Sequence, residues 1–137
     1  MEYTECFSIM NNYERIIEAN ARLENFCKKY GLQGNLGSIF SIVLDEILNN
    51  IMTYSYNDSK EHIIDIKFII EDDIFTLIFC DDGQPFDPGT VPVPALDEPI
   101  DERKAGGLGI HIVRKLMDEV DHRREEGKNY FIVKKRL

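Results

Sequence analysis

Residues 46–50 read Glu46-Ile47-Leu48-Asn49-Asn50, inside a run in which Leu36, Ile39, Phe40, Val43, Leu44, Ile47, Leu48 and Ile51 recur at helical spacing. The run predicts a long amphipathic helix from Leu36 to about Tyr54. Its apolar stripe faces a core. Glu46 and Asn50 share a different face, with Thr53 nearby, because residues four apart stack one turn above another. A carboxylate and an amide oxygen so placed hold Mg²⁺ and orient a nucleophile, or else form the solvated side of the helix. Asn49-Asn50 tilts the choice toward a site, because asparagine is a poor residue for a helix interior, at a cost of a few tenths of a kcal/mol, roughly, for each.

Working outward, Tyr3 to Met10 alternates loosely and predicts a first strand. Asn11-Asn12 offers helix caps, and Tyr13, Ile16, Ile17, Leu23, Phe26, Cys27 and Tyr30 mark a helix closed by Gly31. Beyond the central helix, Tyr56-Asn57-Asp58-Ser59-Lys60 is a loop. Ile64, Ile66, Phe68 and Ile70 define a half-buried strand, and Phe75, Leu77 and Phe79 define its antiparallel partner after a turn at Glu71-Asp72-Asp73. That second strand ends in Asp81-Asp82-Gly83-Gln84-Pro85-Phe86. A carboxylate at a strand end accepts a hydrogen bond from a purine amino group, and Gly83 lacks the Cβ that would keep the backbone from the base. The same residues also suit an ordinary Asp-Gly turn.

Residues 84–105 hold all five prolines of the chain and read as a long loop, a candidate lid. Gly106-Gly107-Leu108-Gly109 then opens a helix, with helical spacing from Leu108 to Val120. Helix N-termini carry free N–H groups and partial positive charge, so this turn suits phosphate; it equally suits a lid hinge. No Gly-Lys-Ser/Thr follows, so it is not a P-loop, and no strand precedes it, so it is not a dinucleotide fingerprint. Arg103 and Lys104 stand where they could touch a γ-phosphate or serve as surface charge. The end reads as a hairpin, with strands near Asp121–Glu125 and Tyr130–Lys135 around Glu126-Gly127-Lys128-Asn129. The run Arg123-Arg124-Glu125-Glu126 reads as its solvated flank.

The chain of 137 residues has the length of one compact domain. Its net charge of −9 opposes nucleic acid and anionic membranes, which need positive charge. An acidic chain that binds a polyanion must borrow a cation, usually Mg²⁺. No apolar run reads as a membrane span, and Met1 to Met10 does not read as a signal peptide. Cys6, Cys27 and Cys80 make neither a disulfide framework nor a zinc site, which points to a reducing cytoplasm. His62, His111 and His122 share no metal-ligand spacing with carboxylates or cysteines.

Taken jointly, the three motifs resemble the GHKL superfamily of ATP-binding domains, which groups gyrase, heat-shock chaperone, histidine kinase and mismatch-repair ATPases. Glu46-x-x-x-Asn50 is similar to its N box, Asp81-x-Gly83-x-x-Phe86 to its first glycine box, and Gly106-Gly107-Leu108-Gly109 to the glycine motif at the end of the ATP lid. The stretch Gly106 to Val120 most resembles the anti-sigma factor serine kinases of bacterial partner-switching pathways. The resemblance covers about Phe7 to Val133. It implies the Bergerat fold, an α+β two-layer sandwich of a mixed, mostly antiparallel sheet with helices on one face. It also implies that Asn50 coordinates Mg²⁺, that Asp81 reads the adenine of ATP and that Glu46 is the base toward an incoming serine. The implied partners are a STAS-type protein phosphorylated on Ser or Thr, a sigma factor held inactive, and a second copy contacted through Tyr3 to Met10 and the following helix. Two departures stand out. Tyr54-Ser55-Tyr56 replaces His-Gly/Ala-Tyr after the N box, and Gly127-Lys128-Asn129 lacks the hydroxyl some members place there. The rival readings are an ATP-gated switch protein without catalysis and a detached histidine kinase catalytic domain.

Overall fold

The computed structural model describes residues 2–85 and 107–137. Its elements run β1 (Glu2–Met10), α1 (Arg15–Lys29), α2 (Leu36–Tyr54), β2 (Ile63–Glu71), β3 (Ile74–Asp81), α3 (Gly107–Leu116), β4 (Glu119–Glu125) and β5 (Lys128–Arg136). The strands form one five-stranded sheet in the order β1-β2-β3-β5-β4. Every described pairing is antiparallel, so the expected mixed sheet shows no parallel pair among the described residues.

Period-two alternation builds the inner face of the sheet. Ile64, Ile66 and Phe68 of β2, Phe75, Leu77 and Phe79 of β3, and Phe131 and Val133 of β5 are all buried. The helices lie on this face. Phe40 of α2 is fully buried and its ring stacks on Phe75 at 4.2 Å between centroids, while Phe26 of α1 packs edge-on to Phe75. By length and hydropathy alone α2 would pass for a membrane span. Here Val43, Leu44, Ile47, Leu48 and Ile51 bury its apolar stripe in the core.

Both hairpins turn tightly. Asp72 and Asp73 have φ of 53° and 62°, and Glu126 and Gly127 have φ of 50° and 78°. Two successive positive φ values give the turn whose twist matches that of the flanking strands. The second turn is therefore confined to Glu126-Gly127, and Lys128 and Asn129 belong to β5.

Two local features depart from the sequence expectation. Helical spacing runs to Val120, yet α3 ends at Leu116. Asp118 N–H donates to the Lys134 carbonyl at 2.9 Å, which turns the chain into β4, and Val120 pairs with Val133. Val120 points inward under either periodicity, so spacing could not separate the two. Asn11 does not cap α1, which has no side-chain cap. Its Oδ1 accepts from His62 N–H at 2.9 Å and its N–H donates to the His62 carbonyl at 3.0 Å, which ties the end of β1 to the start of β2.

Candidate functional site

The last turns of α2 and the end of β3 are held against each other. Gln84 N–H donates to the Ser55 carbonyl at 2.7 Å, and the Gln84 side-chain amide donates to the Tyr54 carbonyl at 2.8 Å. Gly83 makes this approach possible. A Cβ there would lie 2.2 Å from the Ser55 carbonyl oxygen and 2.7 Å from the Ser55 carbonyl carbon. The absent Cβ thus admits the protein's own backbone at the end of α2. Gln84, read from sequence as the start of a lid, is anchored in the wall of the site.

Asn50 is 1% exposed, and among the described residues neither its amide oxygen nor its amide nitrogen has a hydrogen-bond partner. Leaving a buried polar group unpaired costs about 1–3 kcal/mol, so such a group needs an occupant to explain it. Asn49 differs. Its amide donates back to the Asp45 carbonyl at 2.8 Å and is satisfied within the helix. Glu46, one turn before Asn50, is half-buried. Burial, reinforced by neighbouring Asp45, pushes its carboxyl above the usual range. Thr53 is engaged with the Tyr13 hydroxyl at 3.2 Å.

Asp81 is 4% exposed at the end of β3. Its Oδ1 accepts from Gly83 N–H and from the Asn129 amide, each at 3.0 Å. Burial raises its pKa, and these two hydrogen bonds work against that rise. Ser55 Oγ is buried without a partner of hydrogen-bonding geometry among the described residues, although it lies close enough to Asp81 to favour the charged form.

Several residues in this wall escaped the sequence. The sequence places Asn129 in a turn and Arg124 on a solvated flank. Arg124 is exposed, but its Nη1 donates to the Gly83 carbonyl at 2.8 Å and to Asn129 Oδ1 at 3.1 Å. His62 stacks on Tyr56 with ring centroids 4.4 Å apart. Its Nε2 lies 2.8 Å from Asp58 and its Nδ1 3.1 Å from Asp82. A neutral imidazole has one donor, so two carboxylate acceptors call for imidazolium. The bond to Asp58, aided by Asp82, raises the His62 pKa. The stability this supplies is present at low pH and is lost as pH rises through that raised value. Thermal melts across pH should show the loss, and His62→Gln should remove that step from the profile.

Lys104, Gly106 and the lid beyond Pro85 lie outside the described residues. Gly107, Leu108 and Gly109 form the first turn of α3, and α3 packs along α2. No cluster of three metal-ligating side chains occurs among the described residues. A cleft of about 730 Å³ between α1 and α2 is lined by neither Asn50, Asp81 nor Gly83. The orphaned amide and buried carboxylate locate chemistry better than that volume does.

A family model described as histidine kinase-like ATPase domain matches residues 9–135. The serine-protein kinase RsbW of Staphylococcus aureus is 33% identical over 91 residues, covering 63% of this chain and 57% of that protein. RsbW of Oceanobacillus iheyensis is 28% identical over 83 residues, covering 58% of this chain and 52% of that protein. The chain thus spans about half the length of the curated relatives it matches. Among solved structures, the RsbU and RsbW domains of a Mycobacterium tuberculosis protein superpose with a TM-score of 0.67 at 13% identity, over 98% of this chain and 32% of that one. The SiaB-SiaC complex from Pseudomonas aeruginosa gives a TM-score of 0.61 at 14% identity, over 97% of this chain and 89% of that one. At such identities the two structures speak for the fold, which is the sandwich the resemblance implied. The three motifs, the antiparallel sheet under α1–α3 and the family match over nearly the whole chain agree: this chain belongs to the histidine kinase-like ATPase domain family.

Proposed function

We propose that this chain is a Mg²⁺-ATP-dependent protein serine/threonine kinase of the partner-switching type. Its phosphoacceptor would be a STAS-type antagonist, and it would hold a sigma factor inactive. The observation that carries the reading is Asn50, a buried amide with no partner of its own, one turn from a carboxylate whose pKa is raised. The relatives named serine-protein kinase RsbW support the class of reaction.

Asn50 fits Mg²⁺, which binds through one or two protein oxygens and otherwise through phosphates and water. When bound, the ion supplies charge neutralisation on the phosphate oxygens. The other roles fall to side chains and backbone. Asp81 accepts the adenine amino group. The N–H groups of the first turn of α3, with Gly106 and Lys104 ahead of it, receive phosphate. Glu46 accepts the proton of the serine hydroxyl as the hydroxyl oxygen attacks the γ-phosphorus and the bond to ADP breaks.

Incubation with γ-labelled ATP and a purified STAS protein should label the STAS protein on Ser or Thr. ATP binding without label on any STAS protein would leave the switch-protein reading in place of catalysis. A second prediction concerns Asp81. Removing a charged hydrogen-bond partner from a buried contact costs about 1.5–3 kcal/mol. Asp81→Asn should therefore weaken ATP about tenfold or more by calorimetry. It should leave the apo protein folded, because it also removes a buried charge. Wild-type affinity in Asp81→Asn would refute the adenine assignment.

A further inference from the structure

Arg124, Asn129 and Asp81 stand in one cross-strand row. Arg124 is the register partner of Asn129 across β4 and β5, and Asn129 is the partner of Asp81 across β5 and β3. All three lie at the end of the sheet where β3 turns into Gly83. The middle member is 4% exposed and fully committed. The Asn129 amide nitrogen donates to Asp81 Oδ1 at 3.0 Å and to the Gln84 carbonyl at 2.8 Å. Its amide oxygen accepts from Arg124 Nη1 at 3.1 Å. These partners allow one orientation. A flipped amide would set its oxygen against two acceptors and its NH₂ against a guanidinium.

The row has a consequence for the carboxylate it ends on. Asp81 Oδ1 carries two donors, Gly83 N–H and the Asn129 amide, and Oδ2 is engaged by neither. Arg124 closes the arrangement from outside, since the same Nη1 also donates to the Gly83 carbonyl at 2.8 Å. Asp81, which Ser55 Oγ also approaches, is thereby held at one rotamer, and the place of its acceptor oxygens is fixed. A fixed acceptor suits a base with an amino group at that place. A base with a carbonyl there meets acceptor against acceptor, and a carboxylate that cannot turn cannot relieve the clash.

Building on the ATP-binding reading above, we propose that Arg124 and Asn129 are positioning residues that fix the Asp81 carboxylate and so set the preference of this site for adenine over guanine. Neither residue need touch the nucleotide. Arg124 acts through Asn129, and Asn129 acts through Asp81.

The test is a calorimetric titration of ATP and of GTP, each with Mg²⁺, into the full chain and two variants, repeated across acid pH. Wild type should prefer ATP. Asn129→Ala, which removes a donor from a buried carboxylate, should weaken ATP about tenfold or more and narrow the ATP-to-GTP ratio. It should also move the acid loss of ATP binding to higher pH, because the hydrogen bond that favours ionised Asp81 is gone. Arg124→Gln sits at an exposed position and should keep the fold; it should narrow the ratio with a smaller loss of ATP affinity. A merely structural pair would not move the base preference or the acid limb. Folded variants with the wild-type ratio and the wild-type acid limb would overturn the proposal while leaving ATP binding intact. Wild type that binds neither nucleotide would instead overturn the ATP reading, and the proposal with it.

Discussion

Glu46→Gln is expected to bind ATP nearly as wild type does, to bind its protein partner, and to transfer phosphate at least about 10²-fold more slowly. General-base assistance is typically worth on the order of 10²–10⁴-fold in rate. Glutamine keeps the size and hydrogen-bonding reach of glutamate and loses only its basicity. The position of Glu46 makes the loss specific. Half-buried on α2 and next to Asp45, its carboxyl has a pKa raised by burial first and by that neighbour second. A base whose pKa lies nearer neutrality takes a proton more readily while remaining ionised at the working pH. Single-turnover transfer from labelled ATP to a STAS protein checks the claim. Full transfer by Glu46→Gln would show that the residue is a structural acid.

Gly83→Ala should damage the site more than its single methyl suggests. The added Cβ would meet the Ser55 carbonyl oxygen at 2.2 Å and the Ser55 carbonyl carbon at 2.7 Å, and both are backbone atoms. No side-chain rotation relieves such an overlap. The end of β3 must part from the end of α2, which breaks the bond from Gln84 N–H to the Ser55 carbonyl. Overpacking typically costs about 1–3 kcal/mol, and here the displaced segment also carries Asp81. Chemical denaturation should show the stability loss, and calorimetry should show ATP affinity falling by more than the fall in stability alone accounts for. A Gly83→Ala protein with wild-type stability and affinity would mean that the close approach is dispensable.

Much of this site could be read from periodicity. The spacing of Phe40, Val43, Leu44, Ile47 and Ile51 aims one face of α2 at the core and leaves Glu46 on another, as the structure has it. Strand alternation through Phe75, Leu77 and Phe79 ends the strand at Asp81, which the structure shows buried on the same face. The burial of Asn50 corrects the expectation that it lies off the apolar stripe: at about 100° per residue it falls between Ile39 and Val43, three residues after Ile47, so the spacing already sets it on the core side while Glu46 sits at the edge. The rest was hidden where one local pattern allows two structures. Glu126-Gly127-Lys128-Asn129 contains enough turn-forming residues to absorb Asn129 into a loop. Positive φ at Glu126 and Gly127 alone completes the turn, and Asn129 falls into register with Asp81. Arg124 belongs to a charge run, and charge runs are usually solvated. Only its place opposite Asn129 reveals the two carbonyl oxygens it serves. Asn11 reads as a cap because caps are local, whereas its partner His62 is remote in sequence.

The most direct measurement is calorimetric titration of ATP into wild type and into Asn50→Ala, each with and without Mg²⁺. Wild type should bind ATP with an affinity that depends on Mg²⁺, because the orphaned Asn50 amide oxygen then has a partner. Asn50→Ala should remain folded, having lost a buried group with no protein partner, and should lose the Mg²⁺-dependent part of binding. Equal, Mg²⁺-dependent affinity in the two proteins would contradict the account.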